Sequence, residues 1–144
     1  MNKKKHLDDR FKNFGKISFT SVSKVNDFIG YLEKGKVMGT ICKKCGRVFF
    51  PPRADCCICL SSDMKWFEVN GKGKLVTYST LKFAPTGFED DLPYSIALVD
   101  YGQYKVFGKI SSTVPDKQLE VGMKMRVKSN QLSNGQLSYV FEKA

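Results

Sequence analysis

Cys42-Lys43-Lys44-Cys45 and Cys56-Cys57-Ile58-Cys59 are two C-x₂-C turns with ten residues between them. Each turn can present two thiolates to one ion, and two such knuckles face to face complete a tetrahedral S₄ site that suits zinc. Gly46, directly after Cys45, fits the tight backbone that such a turn needs. The spacing therefore predicts Cys42, Cys45, Cys56 and Cys59 as metal ligands. Only Cys56 keeps the two-residue spacing to Cys59, so Cys57 is read as a free thiol. Four thiolates leave no open coordination position, and the metal is expected to be structural, a staple for a segment too short to build its own core. Iron is chemically admissible in an S₄ site and would bring electron transfer with it. The single histidine, His6, is distant in sequence and read as solvated.

Downstream of the cysteines the pattern changes to period-two alternation rich in β-branched and aromatic residues. Six strands are predicted: Trp66–Asn70, Lys74–Phe83, Tyr94–Tyr101, Tyr104–Ile110, Met123–Gln131 and Gln136–Glu142. Turn signals divide them at Gly71-Lys72-Gly73, Gly102-Gln103 and Asn134-Gly135, the last a strong hairpin marker. Short strands in such number suggest a small closed or nearly closed barrel, because closure removes exposed edges. The longest connection, Ala84–Pro93, carries Glu89-Asp90-Asp91 at its tip and is a candidate functional loop. Upstream, Val25, Phe28, Ile29 and Leu32 follow the spacing of one buried helical face, with Ser23 as N-cap and Gly35 as stop. Leu7, Phe11 and Phe14 suggest a weaker helix before it, ending at Gly15. Helices this short need a covered apolar face, so the arm must pack on the chain or on a partner. The expected organisation is a helical arm over 1–35, a zinc ribbon over 36–64 and a barrel over 65–144.

The 24 basic and 14 acidic residues give a formal charge of +10; zinc held by four thiolates lowers this to about +8. Only Arg10, Arg47, Arg53 and Arg126 are arginine. Arginine is the preferred residue for bidentate recognition of bases and phosphates, so the lysine excess argues mildly against a nucleic-acid-binding module. An anionic partner of some kind is implied, or else a lysine-rich solvated surface. No apolar run is long enough to span a membrane, and no secretory signal pattern follows the basic Met1–Lys5. Five cysteines clustered within eighteen positions fit a metal in a reducing cytoplasm better than a disulfide framework. A histidine-centred base or triad is hard to assemble from one distant histidine, and no phosphate-binding glycine loop is present. The chain is therefore expected not to be an enzyme alone. In Tyr104–Ile110, Lys105, Phe107 and Lys109 share one face, where an aromatic between two cations could stack a base and neutralise phosphate, in single-stranded nucleic acid or in an adenine nucleotide cofactor.

Several runs together resemble one family. They are Gly39-Thr40-Ile41-Cys42-Lys43-Lys44-Cys45-Gly46, Phe50-Pro51-Pro52-Arg53, Cys56-Cys57-Ile58-Cys59, Gly71-Lys72-Gly73-Lys74-Leu75-Val76, Pro93-Tyr94-Ser95-Ile96-Ala97-Leu98-Val99 and Val121-Gly122-Met123. In that order they resemble the DUF35 family, from about Val25 onward. Members usually have proline where this chain has Cys57, which leaves the four ligands untouched. The resemblance implies a rubredoxin-like zinc ribbon, an OB fold and an N-terminal helical arm. It also implies a non-catalytic, acyl-CoA-binding scaffold that docks on a thiolase-superfamily enzyme: a thiolase, a hydroxymethylglutaryl-CoA synthase, or a lipid-transfer-type thiolase or aldolase. CoA carries a phosphomonoester and a diphosphate, for which Arg53, Lys82, Lys105 and Lys109 are the expected cations. The arm, through Phe28, and the acidic loop, through Glu89, Asp90 and Asp91, are the expected docking elements.

Overall fold

The computed structural model describes residues 7–18 and 20–144; His6 and the basic Met1–Lys5 lie outside them. The first sheet is built on β1 (Met38–Cys42), flanked antiparallel by β2 (Val48–Phe49) and β3 (Met64–Glu68). As the central strand β1 is buried along most of its length, including Gly39 and Thr40. A Cβ on Gly39 would lie 2.5 Å from the Phe49 carbonyl oxygen and 2.6 Å from the Phe67 ring, so only glycine fits there.

The remaining strands are β4 (Gly73–Leu81), β5 (Tyr94–Asp100), β6 (Lys105–Ile110), β7 (Lys124–Gln131) and β8 (Leu137–Lys143). They close into a barrel in the order β4-β5-β6-β8-β7. The seam is Gly73 opposite Met125 and Lys74 opposite Lys124, and β6 runs parallel to β8 through Lys109–Val140 and Ile110–Phe141. Alternation puts Leu75, Ala97, Val99, Val106, Ile110, Met125 and Phe141 inside, all buried, with Leu119 closing one end. The chain is thus mainly β, with a four-cysteine ribbon ahead of a five-stranded closed barrel.

Two expectations are corrected. The strand expected at Trp66–Asn70 runs over Met64–Glu68 and joins the ribbon sheet, from Cys42 opposite Met64 to Met38 opposite Glu68. The barrel closes without it, and β1 would otherwise present a bare edge. Alternation along β3 sends Trp66 toward Tyr31, with ring centroids 5.3 Å apart, and Phe67 toward Tyr104 at 5.1 Å. One strand therefore packs on the arm with one face and on the barrel with the other.

The arm carries one α-helix, α1 (Asp27–Glu33), and the weaker helix expected before it is only a four-residue 3-10 helix. Arg10–Asn13 makes a single 3-10 turn, after which Phe14 goes extended and bridges in parallel to Leu137 of β8. The turn is held by Arg10, whose guanidinium spans Asp8 and Asp27, both at 2.8 Å. These two carboxylates raise the Arg10 pKa well above its ordinary value. Before α1, the Ser23 hydroxyl accepts from the Val25 amide, while Asn26 Oδ1 accepts from the Ser23 amide. At its end Gly35 has φ +81°; its amide donates to the Leu32 carbonyl and the Lys36 amide to the Tyr31 carbonyl, which is the Schellman pattern.

Phe28, Ile29 and Leu32 form the buried face of α1. Phe28 lies 6.2 Å from Phe11, 5.7 Å from Phe14 and 6.4 Å from Phe50, centroid to centroid. Tyr139 of β8 completes the group, 5.6 Å from Phe50 and 6.4 Å from Phe14. Arm, ribbon loop and barrel therefore share one cluster of rings.

Candidate metal centre and basic barrel face

The ends of β1 and the two knuckles bring Cys42, Cys45, Cys56 and Cys59 together, with all four sulfurs within 4.8 Å of one another. Cys42 Sγ is 3.5 Å from Cys59 Sγ, and Cys45 Sγ is 3.6 Å from Cys56 Sγ. A tetrahedral ion bonded to sulfur at about 2.3 Å sets the sulfurs about 3.8 Å apart, so the cluster fits zinc. Backbone amides support the sulfurs: Cys45 N–H donates to Cys42 Sγ at 3.5 Å, and Ile58 N–H to Cys56 Sγ at 3.4 Å.

The amides of Cys59 and Ile58 pull the Cys56 thiol down to about 6, against the pull of burial. The Cys45 amide lowers Cys42 in the same way. Cys45 moves up to about 11: the Arg47 amide lowers it, but burial and the neighbouring sulfurs win. Cys59 is raised similarly, the Ser61 amide being outweighed by burial and by Cys42. Four thiolates this close cannot all ionise without a counter-charge, which a divalent cation supplies. Bound there, zinc would cross-link the two knuckles. Cys42 and Cys56 are buried, and Cys57 is exposed and outside the cluster.

The knuckles are built alike. Gly46 N–H donates to Cys42 O at 2.8 Å, and Leu60 N–H to Cys56 O at 3.1 Å. Both residues follow the second cysteine of their turn and both have positive φ, +77° for Gly46 and +62° for Leu60. For leucine that conformation costs roughly 1–2 kcal/mol. Leu60 is missed by a search for chemistry-bearing residue types; its signal is a leucine where the other knuckle has glycine.

Behind the centre, Thr40 clips the loop that carries Arg53. Its hydroxyl accepts from the Arg53 amide at 2.8 Å and donates to the Arg53 carbonyl at 2.9 Å. The Arg53 guanidinium lies over the Phe49 ring at 5.7 Å. Lys105, Phe107 and Lys109 share the outer face of β6, with Phe107 58% exposed opposite Leu98 of β5. Neither neighbouring strand, β5 or β8, exposes an aromatic among the described residues. Lys109 is already engaged, 3.4 Å from Asp91 and 5.0 Å from the centroid of Tyr94. Lys82 is exposed just past β4. Arg53 is thus in the ribbon while the three lysines are on the barrel, and among the described residues no hydrogen bond or ion pair links the four.

The expected docking residues separate too. Phe28 is 3% exposed in the aromatic cluster and offers no surface to a partner. Asp91 turns inward to Lys16 at 3.2 Å and to Lys109. Burial raises its carboxyl, but the two lysines outweigh that and hold it below the ordinary range. Glu89 and Asp90 stay exposed, Glu89 accepting from the Gly87 amide. Its own amide and that of Gly87 lower its pKa. Lys16, which ties the arm to this loop, carried no sequence signal.

Two family models match adjoining stretches of the chain: ChsH2, rubredoxin-like zinc ribbon domain, over 31–65, and ChsH2, C-terminal OB-fold domain, over 66–129. A DUF35 domain-containing scaffold protein of Methanocaldococcus jannaschii is 34% identical over 95 residues, covering 65% of this chain and 67% of its own. The chain belongs to the DUF35 family. A second DUF35 scaffold protein, from Pyrococcus furiosus, is 32% identical over 67% of this chain and 71% of its own. Among solved structures, an Ltp2-ChsH2(DUF35) aldolase matches with TM-score 0.65 at 22% identity, over 78% of this chain and 87% of the other. A DUF35 protein of unknown function from Sulfolobus solfataricus matches with TM-score 0.55 at 22% identity, over 83% and 87%. At that identity these two establish likeness of fold. The match to the ChsH2 rubredoxin-like zinc ribbon domain and the four-sulfur cluster together support a structural zinc. No helix among the described residues is long and apolar enough to cross a membrane.

Proposed function

We propose that this chain is a non-catalytic scaffold subunit that docks on a thiolase-superfamily enzyme and helps hold its acyl-CoA. The observation that carries the scaffold reading is the description of its curated relatives as scaffold proteins, supported by the likeness to a chain of an Ltp2-ChsH2(DUF35) aldolase. The acyl-CoA part rests on β6, where an exposed Phe107 stands beside Lys105, a surface on which an adenine could stack while Lys105 meets a phosphate, with Lys109 joining it only by leaving Asp91. Arg53 and Lys82 are the further cations proposed for CoA. Glu89 and Asp90 are the proposed docking carboxylates of the long loop. The division into arm (1–35), ribbon (36–64) and barrel (65–144) is proposed as a division of labour, with zinc fixing the ribbon between the other two.

Affinity purification of the tagged full chain from its native cell is expected to bring down a thiolase-superfamily enzyme, identified by mass spectrometry. Acetyl-CoA is expected to raise the melting temperature of the complex, and Phe107→Ala with Lys105→Glu to abolish that rise without lowering the baseline. No such enzyme and no CoA shift would sink the reading. Affinity for single-stranded nucleic acid that falls steeply with salt would replace it with the nucleic-acid one. A metal assay of the purified chain is expected to return zinc, and iron would reopen electron transfer.

A further inference from the structure

Leu60 is the one non-glycine residue with positive φ among the described residues. Its counterpart in the first knuckle is Gly46, which relieves the same backbone conformation at no steric cost. Strained leucines in folded chains are ordinarily held by packing, but Leu60 is 81% exposed. Its side chain therefore does nothing within the chain to offset the strain. Ile58, two residues earlier on the same turn, is 58% exposed. Cys56 and Cys59 bracket Ile58, and Leu60, just beyond Cys59, is tied back by its own amide to Cys56 O at 3.1 Å and by the Cys56 amide to Ser61 O at 2.8 Å, so both apolar side chains project from a fixed backbone. The opposing knuckle displays Lys43, Lys44 and Arg47, all exposed. Of the three only Lys43 has an ion-pair partner among the described residues, Asp63 at 3.4 Å.

We propose that Ile58 and Leu60 form an apolar knob that seats in an acid-rimmed apolar socket on a partner protein. The charges of the ribbon bear on the partner: exposed Asp63 is paired with Lys43 and exposed Asp55 accepts from Ser62, whereas Lys44 and Arg47 have no ion pair among the described residues and would meet a carboxylate rim favourably. The inference rests on the scaffold reading, since it takes the docked enzyme as the owner of the socket. Because the backbone of the turn is already fixed, seating these side chains requires no ordering of the main chain.

The probe is the thiolase-superfamily enzyme recovered with the wild-type chain, purified separately and titrated with the zinc-loaded full chain by calorimetry. Leu60→Gly and Leu60→Asn are expected to keep full metal content and a melting temperature no lower than wild type, because both residues accept the left-handed conformation. Both are expected to bind the enzyme at least tenfold more weakly, as is Ile58→Ser. Lys44→Glu with Arg47→Glu is expected to slow association and flatten its salt dependence. Wild-type affinity in the Leu60 and Ile58 variants overturns the knob while leaving the scaffold reading intact. Loss of metal or folding in both Leu60 variants overturns it too, by making Leu60 part of the fold. Self-association of the wild type through this tip, abolished by Leu60→Gly, assigns the surface to a second copy and overturns the proposal. An enzyme that does not bind the wild type removes both readings.

Discussion

At the scale of single residues, the five cysteines divide into four with a shared task and one without. Cys42→Ser or Cys56→Ser removes a buried sulfur from the cluster and is expected to abolish stoichiometric zinc and to lower the melting temperature sharply. Cys57→Ser is expected to leave both unchanged, read by metal analysis alongside a thermal scan. Asp91 gives a second residue-level expectation. Its folded carboxyl sits below the ordinary value of 3.8 because Lys16 and Lys109 outweigh burial, so the unfolded chain binds the proton more tightly. Its contribution is present above about pH 4 and is lost as pH falls through the lower, folded pKa. Asp91→Asn is expected to lower stability modestly at pH 7 and to flatten the acid limb below pH 4 in denaturant titrations. The clustering of Cys42, Cys45, Cys56 and Cys59 was legible because their spacing alone constrains how the two turns can meet. Asp91 was not, because its direction depends on Lys16 and Lys109, which are remote from it in the chain.

The secondary-structure elements meet at aromatic side chains. Phe28 from α1, Phe50 from the loop after β2 and Tyr139 from β8 are drawn into one cluster, with Phe11 and Phe14 above them. Phe28→Ala empties a fully enclosed site and is expected to cost about 3–5 kcal/mol, measured by chemical denaturation. The helical face was readable from the spacing of Phe28, Ile29 and Leu32, and five barrel strands from alternation and glycine turns. The pairing of β3 was not readable. Its alternation serves a ribbon sheet as well as a barrel wall, and only the choice of neighbour separates the two. The 3-10 turn at Arg10–Asn13 escaped for a related reason: its apolar spacing fits a helix, but Phe14 gains a backbone partner in Leu137 by leaving it.

Across the whole molecule, the four-cysteine cluster sits at the tip of one sheet, whose Trp66 and Phe67 pack on the common apolar core, while the other sheet closes on apolar side chains alone. The barrel encloses Leu75, Val99, Val106, Met125 and Phe141 with no help from the cysteines. Chelation is therefore expected to release hydrogen-exchange protection in β1, β2 and β3 first, leaving the barrel strands protected; uniform loss would show that the two sheets unfold as one. The barrel was legible as a class, because regular short strands and turns have few closed solutions, while the surfaces that could meet a ligand were less so. Lys105 and Lys109 fell on one face as alternation requires, yet nothing local announced that Lys109 would be spent on Asp91.

The place of β8 bears on how the chain comes into being during synthesis. That strand is inserted between β6 and β7 and also receives Phe14 from the arm. Until β8 has left the ribosome, β6 has one open edge, the barrel cannot close, and the arm lacks its extended partner. The ribbon needs nothing beyond β3 for its strand pairing, so it can gather its metal while the barrel is still a ladder of unfinished strands. A nascent chain stalled before residue 137 would display a metal-bound head and a sticky, unclosed tail, a substrate for chaperones that hold exposed strand edges.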